Sequence, residues 1–176
     1  MIDDIIKFSK KVYSLTTLIR YATRIKILNE SVAAHCHQVA LISLKLYEQY
    51  KDEIKLNLEK MLAMSIIHDL AESELGDIPF PLKNSNKTIN TLIEKEEEIV
   101  IQNLLGKKYS NIFNEFAKKE TIESILVNLA DEISAHIYSI EELSLGNINI
   151  KEIFDETSSR IQKSLNEIEK YKNAKK

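Results

Sequence analysis

Two histidines and two aspartates, His35, the adjacent pair His68-Asp69, and Asp131, interrupt stretches whose apolar spacing is otherwise that of core-facing helices. Val32, Cys36, Val39, Ile42 and Leu46 recur at helical spacing, and His35 stands one position from that stripe, so its ring is directed inward. Taken alone, it reads as a core histidine satisfied by a backbone carbonyl. Leu58, Met61, Leu62 and Ser65 form a second stripe that runs into His68, Asp69 and Glu72, so an apolar face ends in three ionisable groups. A third segment puts Val127, Asp131, Ser134 and Tyr138 on one side, while Ile122, Ile125, Leu126, Leu129, Ile133 and Ile137 supply the main core. A His-Asp dipeptide arises by chance, and a lone helix aspartate is ordinarily solvated or paired with lysine. Together, however, His35, His68, Asp69 and Asp131 offer two imidazole nitrogens and two carboxylate oxygens. That donor set suits one divalent transition-metal ion, and Mn²⁺, Co²⁺, Fe²⁺ and Zn²⁺ are all compatible with it. Four protein ligands leave an octahedral ion two open positions, one for an activated water and one for a polarised substrate oxygen, which is what hydrolysis requires.

Such residues need a scaffold, and the composition favours helices. Only three glycines and two prolines occur in 176 residues, so hairpin turns have little to be built from. The length is that of one domain able to bury a core without disulfides. Residues 1–176 are therefore read as a single all-α domain of about six or seven helices, with a C-terminal amphipathic helix at about 150–171. Helices are expected over Asp3–Leu18, from an N-cap within Asn29–Ser31 to Tyr50, and over Leu56–Leu75 with Gly76 as the stop. Others follow over Ile89–Leu105, Asn111–Lys118, Thr121–Leu145 and Ile150–Tyr171. Asp77-Ile78-Pro79-Phe80-Pro81 is the clear loop, because proline cannot continue a helix. The run Glu94 to Glu98 reads as a solvated helix face, and the lysine-rich end from Lys163 to Lys176 as a fraying terminus.

A net charge of −3 with interspersed signs gives no footprint for long nucleic acids, so a small anion would need local cations. The single cysteine, Cys36, excludes an intramolecular disulfide, and no N-terminal apolar stretch before it is long enough for a signal peptide or membrane span. A cytoplasmic protein without membrane contact is expected. Cys36, on the apolar stripe, reads as a small core residue, and His37 and His136 point away from the other polar groups.

The ordered pattern H…HD…D, here His35, His68-Asp69 and Asp131, resembles that of the HD-domain metal-dependent phosphohydrolases. The segments RYATRIKILNESVAAHCHQVA, IIHDLAESELGDIPFP and LVNLADEISAHIYSIEELSLGN are similar to the bacterial 5′-deoxynucleotidase subgroup, over about residues 15–147. The resemblance implies an HD-type helical bundle, commonly a homodimer, that removes phosphate from deoxyribonucleoside 5′-monophosphates. It implies that Arg20 contacts the substrate phosphate, for which guanidinium is suited, with Arg24 a weaker second candidate. Glu72 would orient or deprotonate the attacking water. Asp77 would bind the sugar or help protonate the departing 5′ oxygen, and Tyr21 would pack against the deoxyribose. Two positions depart from the pattern. Tyr21 stands where the best-known subgroup has tryptophan, and Ala34 where many relatives have glutamate before the first histidine. The alternatives are an HD hydrolase of another small phosphoester, and a non-catalytic nucleotide- or metal-binding protein that keeps the fold without turnover.

Overall fold

Hydroxyl side chains set the first boundary. The computed structural model describes residues 1–83 and 86–174. In it, helix α1 spans Ile2–Ser14 and stops short of the expected Leu18. The Ser14, Thr16 and Thr17 hydroxyls donate to the carbonyls of Lys11, Tyr13 and Ser14, acceptors that an advancing helix would use. Helix α2, Val32–Tyr50, begins where the Ser31 hydroxyl accepts from the Ala34 amide. Helix α3, Leu58–Ile67, is capped in the same way by Asn57.

The single helix expected over Leu56–Leu75 is two pieces, α3 and the short α4, Glu72–Leu75. Between them the backbone tightens to three-residue spacing, with the amides of Leu70, Glu72 and Ser73 bonded to the carbonyls of Ile67, Asp69 and Leu70. At this break the His68 ring nitrogen Nδ1 lies 2.9 Å from the Ser65 carbonyl, the acceptor an unbroken helix would offer to Asp69. Gly76, at φ 77°, ends α4. The proline-containing loop also differs from expectation, since it closes into a helical turn, α5, Phe80–Lys83.

Helix α6 covers Lys87–Leu105, α7 Lys107–Lys118 and α8 Ile122–Ser144, the last opened by a Thr121/Ser124 capping box. A 3-10 turn, Ile148–Ile150, leads into α9, Lys151–Ala174. The described residues thus hold seven helices of ten residues or more, and no strand. The lysine-rich end does not fray within them. It is helical through Ala174, held to α8 by buried Thr157, Ser164 and Ile168, while Lys175 and Lys176 lie outside the described residues. No described helix is long and apolar enough to cross a membrane.

Two apolar clusters form the core. Val39, Leu46, Met61, Met64, Leu126, Leu129 and Ile168 join α2, α3, α8 and α9, whereas Val32, Cys36, Ile67, Leu70, Val100, Ile101 and Phe113 join α2, the α3–α4 turn, α6 and α7. Ile125 and Ile133 are only partly buried and Ile137 is 40% exposed, so the core stripe of α8 is narrower than its sequence suggests. The seam between the clusters runs past His35, His68 and Asp131, whose sequence neighbours belong to one cluster or the other. Met61 has no exposed surface and sits in the first cluster. Met61→Ala is expected to cost about 2–5 kcal/mol of unfolding free energy, as buried large-to-alanine changes do, read as a lower urea midpoint at unchanged slope.

Candidate metal centre and active site

At that seam the side-chain nitrogens converge. His35 Nε2 and His68 Nε2 face each other at 3.3 Å, and Asp69 Oδ2 lies 3.6 Å from the first and 3.2 Å from the second. These three donor atoms all fall within 4.8 Å of one another. Asp131 reaches the group from α8, its Oδ1 3.0 Å from His35 Nε2, but stands outside that closest set. All four residues that the sequence singled out as ligands are therefore neighbours, with Asp131 at the edge.

The far side of each ring fixes what its Nε2 presents. His68 Nδ1 lies 2.9 Å from the Ser65 carbonyl, which can only accept, so this nitrogen carries a proton and in the neutral ring Nε2 keeps its lone pair. His35 Nδ1 lies 2.9 Å from the Ser134 hydroxyl, which donates its own hydrogen to Gln38 Oε1 at 2.5 Å. The hydroxyl oxygen therefore accepts from His35, and again Nε2 is free. With both rings neutral, two Nε2 lone pairs and two carboxylates would form the donor set of a cation, and the outer partners hold both rings in ligating orientation. Among these groups alone, burial would lower His68, but the Asp69 carboxylate outweighs it and pushes the ring up to about 9. Burial and the nearby Arg20 charge pull His35 down. Burial would raise Asp69, yet His68, His35 and Arg20 hold it far below the usual carboxylate range. A bound cation would let both rings stay neutral beside ionised carboxylates.

The adjoining wall comes from the α1–α2 connection and from the residues that end α3. Arg20 donates from Nη1 to Glu30 Oε2 at 2.6 Å, and its backbone amide bonds to the Glu30 carbonyl at 3.0 Å. Burial opposes its charge, but the Tyr21 phenol and the carboxylates of Glu30, Asp131 and Asp69 outweigh that and keep it protonated. Tyr21 adopts the left-handed conformation, φ 57°, which costs a non-glycine residue about 1–3 kcal/mol and marks a segment held by its surroundings. Its ring stacks on Tyr138 at 4.7 Å, and its backbone amide donates to the Asp77 carboxylate. Burial raises Asp77 above its ordinary value. Glu72 is pushed up to about 9 by burial and by the carboxylates of Asp69 and Asp77. Its Oε2 is buried without a hydrogen-bond partner, an orphan that a ligand or water in the site would satisfy.

These groups line one cavity of about 820 Å³, in which Arg20, Tyr21, Glu72 and Asp77 face His68, Asp69 and Asp131. That size is ordinary for a small-molecule site. Arg24, the weaker phosphate candidate, pairs with Glu152 at 2.9 Å on the outer rim. The run Glu94 to Glu98 is not simply solvated: Glu97 is 8% exposed and pairs with Lys83 at 2.6 Å, because α5 brings that lysine over α6. Ala34 is exposed on the first turn of α2, so a missing carboxylate there leaves the His35–Ser134 contact in place. Cys36 is buried in the core, and burial pushes its thiol up. His37 is exposed, and His136 packs on Phe154 with Nδ1 2.9 Å from the Thr157 hydroxyl, both away from the site.

Sequence reasoning missed the groups that orient the others. Ser134 shares a face of α8 with Asp131, a spacing that could have marked it as a partner for an inward histidine. Glu30 and Lys83 carried no such signal, since their partners come from separate segments.

The chain matches the family described as "5′-deoxynucleotidase YfbR-like" over residues 7–175. A protein named 5′-deoxynucleotidase from Vibrio atlanticus (strain LGP32) is 31% identical over 147 residues, 78% of this chain and 73% of that one. Its namesake from Erwinia tasmaniensis is 29% identical over 164 residues, covering 82% and 80%. Among solved structures, a conserved hypothetical protein from Pyrococcus furiosus superposes with a TM-score of 0.79 at 27% identity, over 96% of this chain and 99% of that one. An HD-domain phosphohydrolase from Listeria innocua gives 0.74 at 21% identity over 97% and 90%, a likeness of fold. With nearly its whole length matched and its bundle shared, this chain belongs to the YfbR-like 5′-deoxynucleotidase family.

Proposed function

We propose that this protein is a divalent-metal-dependent phosphomonoesterase that hydrolyses 2′-deoxyribonucleoside 5′-monophosphates to a deoxynucleoside and phosphate. The observation that carries the reading is the convergence of His35, His68 and Asp69, the last two at the wall of a cavity that also holds the Arg20 guanidinium, with His35 buried just behind them. His35, His68 and Asp69, with Asp131 at the edge, would hold the ion. When bound, that ion supplies Lewis-acid polarisation of a phosphoryl oxygen and a lowered water pKa.

The remaining chemistry belongs to the chain. Arg20 captures the phosphate oxygens, with Glu30 holding the guanidinium in place. Glu72 orients the attacking water and, ionised once a cation offsets the Asp69 and Asp77 carboxylates that otherwise keep it protonated, would accept the water's proton as the water oxygen bonds to phosphorus and the bond to the 5′ oxygen breaks. Asp77 stands at the sugar side, where it binds a sugar hydroxyl or gives the departing 5′ oxygen its proton. Tyr21, backed by Tyr138, forms the wall against the deoxyribose.

The test is phosphate release from a panel of deoxy- and ribonucleoside 5′-monophosphates by metal-stripped protein reloaded with Mn²⁺, Co²⁺, Fe²⁺ or Zn²⁺. Metal-dependent release that favours the deoxynucleotides is the expected result. No release from any nucleotide by fully metallated protein would sink the reading. A homodimer accompanies the proposal, supported by the apolar Ile2, Ile5 and Ile6 left exposed on α1, and sedimentation as a monomer at micromolar concentration would remove it. The buried free thiol of Cys36 suits a reducing cytoplasm.

A further inference from the structure

One face of α8 does more than supply Asp131. Asp131, Ser134, Tyr138 and Glu142 follow one another at helical spacing, and the last three hold His35, Tyr21 and the backbone of Ile27 and Leu28 in turn. Ser134 meets His35, and the Tyr138 ring lies nearly parallel to Tyr21, 14° between planes. The Tyr138 hydroxyl is placed to donate to the Leu28 carbonyl at 3.1 Å or to Glu142 Oε1 at 3.2 Å. Glu142 has no exposed surface. Its Oε1 accepts from the amides of Ile27 at 2.9 Å and Leu28 at 2.5 Å, and its Oε2 from Ile27 at 3.0 Å and the Asn147 side-chain amide at 2.6 Å. That same Asn147 amide donates to the Ile25 carbonyl at 2.9 Å. A buried carboxylate is thus surrounded by donors, several of them from the connection that carries Arg20 and Tyr21.

Within that connection the bonds are local: the Arg24 amide closes a turn onto the Tyr21 carbonyl, and Lys26 Nζ donates to the Arg20 carbonyl at 2.6 Å. They shape the turn but do not attach it to the bundle. Arg24 reaches Glu152 on α9 and the Tyr21 amide reaches Asp77, while Tyr138, Glu142 and Asn147 supply the buried part of the attachment. We propose that Tyr138 and Glu142 are positioning residues, which anchor the segment from Arg20 to Leu28 so that the Arg20 guanidinium and the left-handed Tyr21 face the cavity. The proposal rests on the phosphomonoesterase reading above. Because the metal-centre residues sit on α2, on the α3–α4 turn and elsewhere on α8, loosening this segment weakens substrate binding and leaves the metal centre in place.

Glu142→Gln is nearly isosteric but turns one acceptor oxygen into an NH₂ that confronts donors on every side. The expected result is a KM for 2′-deoxyadenosine 5′-monophosphate raised about tenfold or more, with kcat within about threefold and metal content equal to the parent. Amide hydrogen exchange at Ile27 and Leu28 should quicken by about tenfold or more, with the helices unchanged. Tyr138→Phe keeps the stack but loses the hydroxyl that meets Leu28 and Glu142, and should raise KM less than Tyr138→Leu, which removes both and should raise KM as Glu142→Gln does. A Phe variant as impaired as the Leu variant would remove the stack from the anchor. Parental KM and parental exchange in Glu142→Gln would overturn the proposal, as would losses shared equally by kcat, metal content and exchange throughout the bundle. Should Glu142→Gln fail to fold, the two Tyr138 variants decide the matter by the same readouts. If the parent releases phosphate from no nucleotide, the phosphomonoesterase reading falls by itself. Exchange confined to residues 20–28 then still supports the anchor, and unchanged exchange there overturns it.

Discussion

Asp69→Ala is expected to lower kcat/KM for nucleotide hydrolysis by about 10³-fold or more, since it removes the carboxylate that both imidazoles share. Asp69 Oδ2 lies 3.2 Å from His68 Nε2 and 3.6 Å from His35 Nε2, so no other described carboxylate touches both rings. Without it the two lone pairs face each other with Asp131 alone nearby, on the His35 side. Metal affinity should fall with activity, and a readout free of turnover follows from mass action. A metal bound only by the folded state raises the melting temperature, so chelation should lower it in the parent and leave it unmoved in Asp69→Ala. A variant that keeps its metal and turns over within tenfold of the parent would remove Asp69 from the centre.

Glu72→Gln is the second large effect, an expected fall in kcat of about 10² to 10⁴, the usual contribution of a positioned acid–base group. Glutamine keeps the size and one oxygen of the side chain but cannot take a proton from water. The choice of residue follows from the site: Oε2 is buried and unpartnered, in a cavity wall between Asp69 and Asp77. Since Glu72 is not among the proposed ligands, metal content and the thermal response to chelation should match the parent. Parental kcat would show that the water is activated elsewhere, while loss of metal together with activity would recast Glu72 as a support of the centre.

His35 was legible because its inward direction depends only on helical periodicity along α2, and the same holds for Asp131 beside Ser134 and Tyr138. The break after α3 was not legible. The hydrophobic stripe continues unbroken through Ser65 and His68, and only the contact of the His68 ring with the Ser65 carbonyl accompanies the tightened turn. Glu97 looked solvated because its run is charged throughout, and its burial follows from Lys83 arriving on a different element. Arg20 and Tyr21 were noticed through resemblance, yet nothing along the chain joins them to Glu142, more than a hundred residues away.

By itself, then, the order of residues determined the helical class, the stripe on which each polar group would sit, and the identity of the two histidines and two aspartates that meet. Periodicity and capping act over a few residues, so they can be read from a string. Which ring nitrogen faces the centre, that Asp131 stands at its edge, and which buried carboxylate ties down the substrate-side loop were decided by the tertiary structure. Those features depend on the distances at which α2, the α3–α4 turn and α8 pack, and such distances arise only when side chains far apart in sequence are pressed into one close-packed interior.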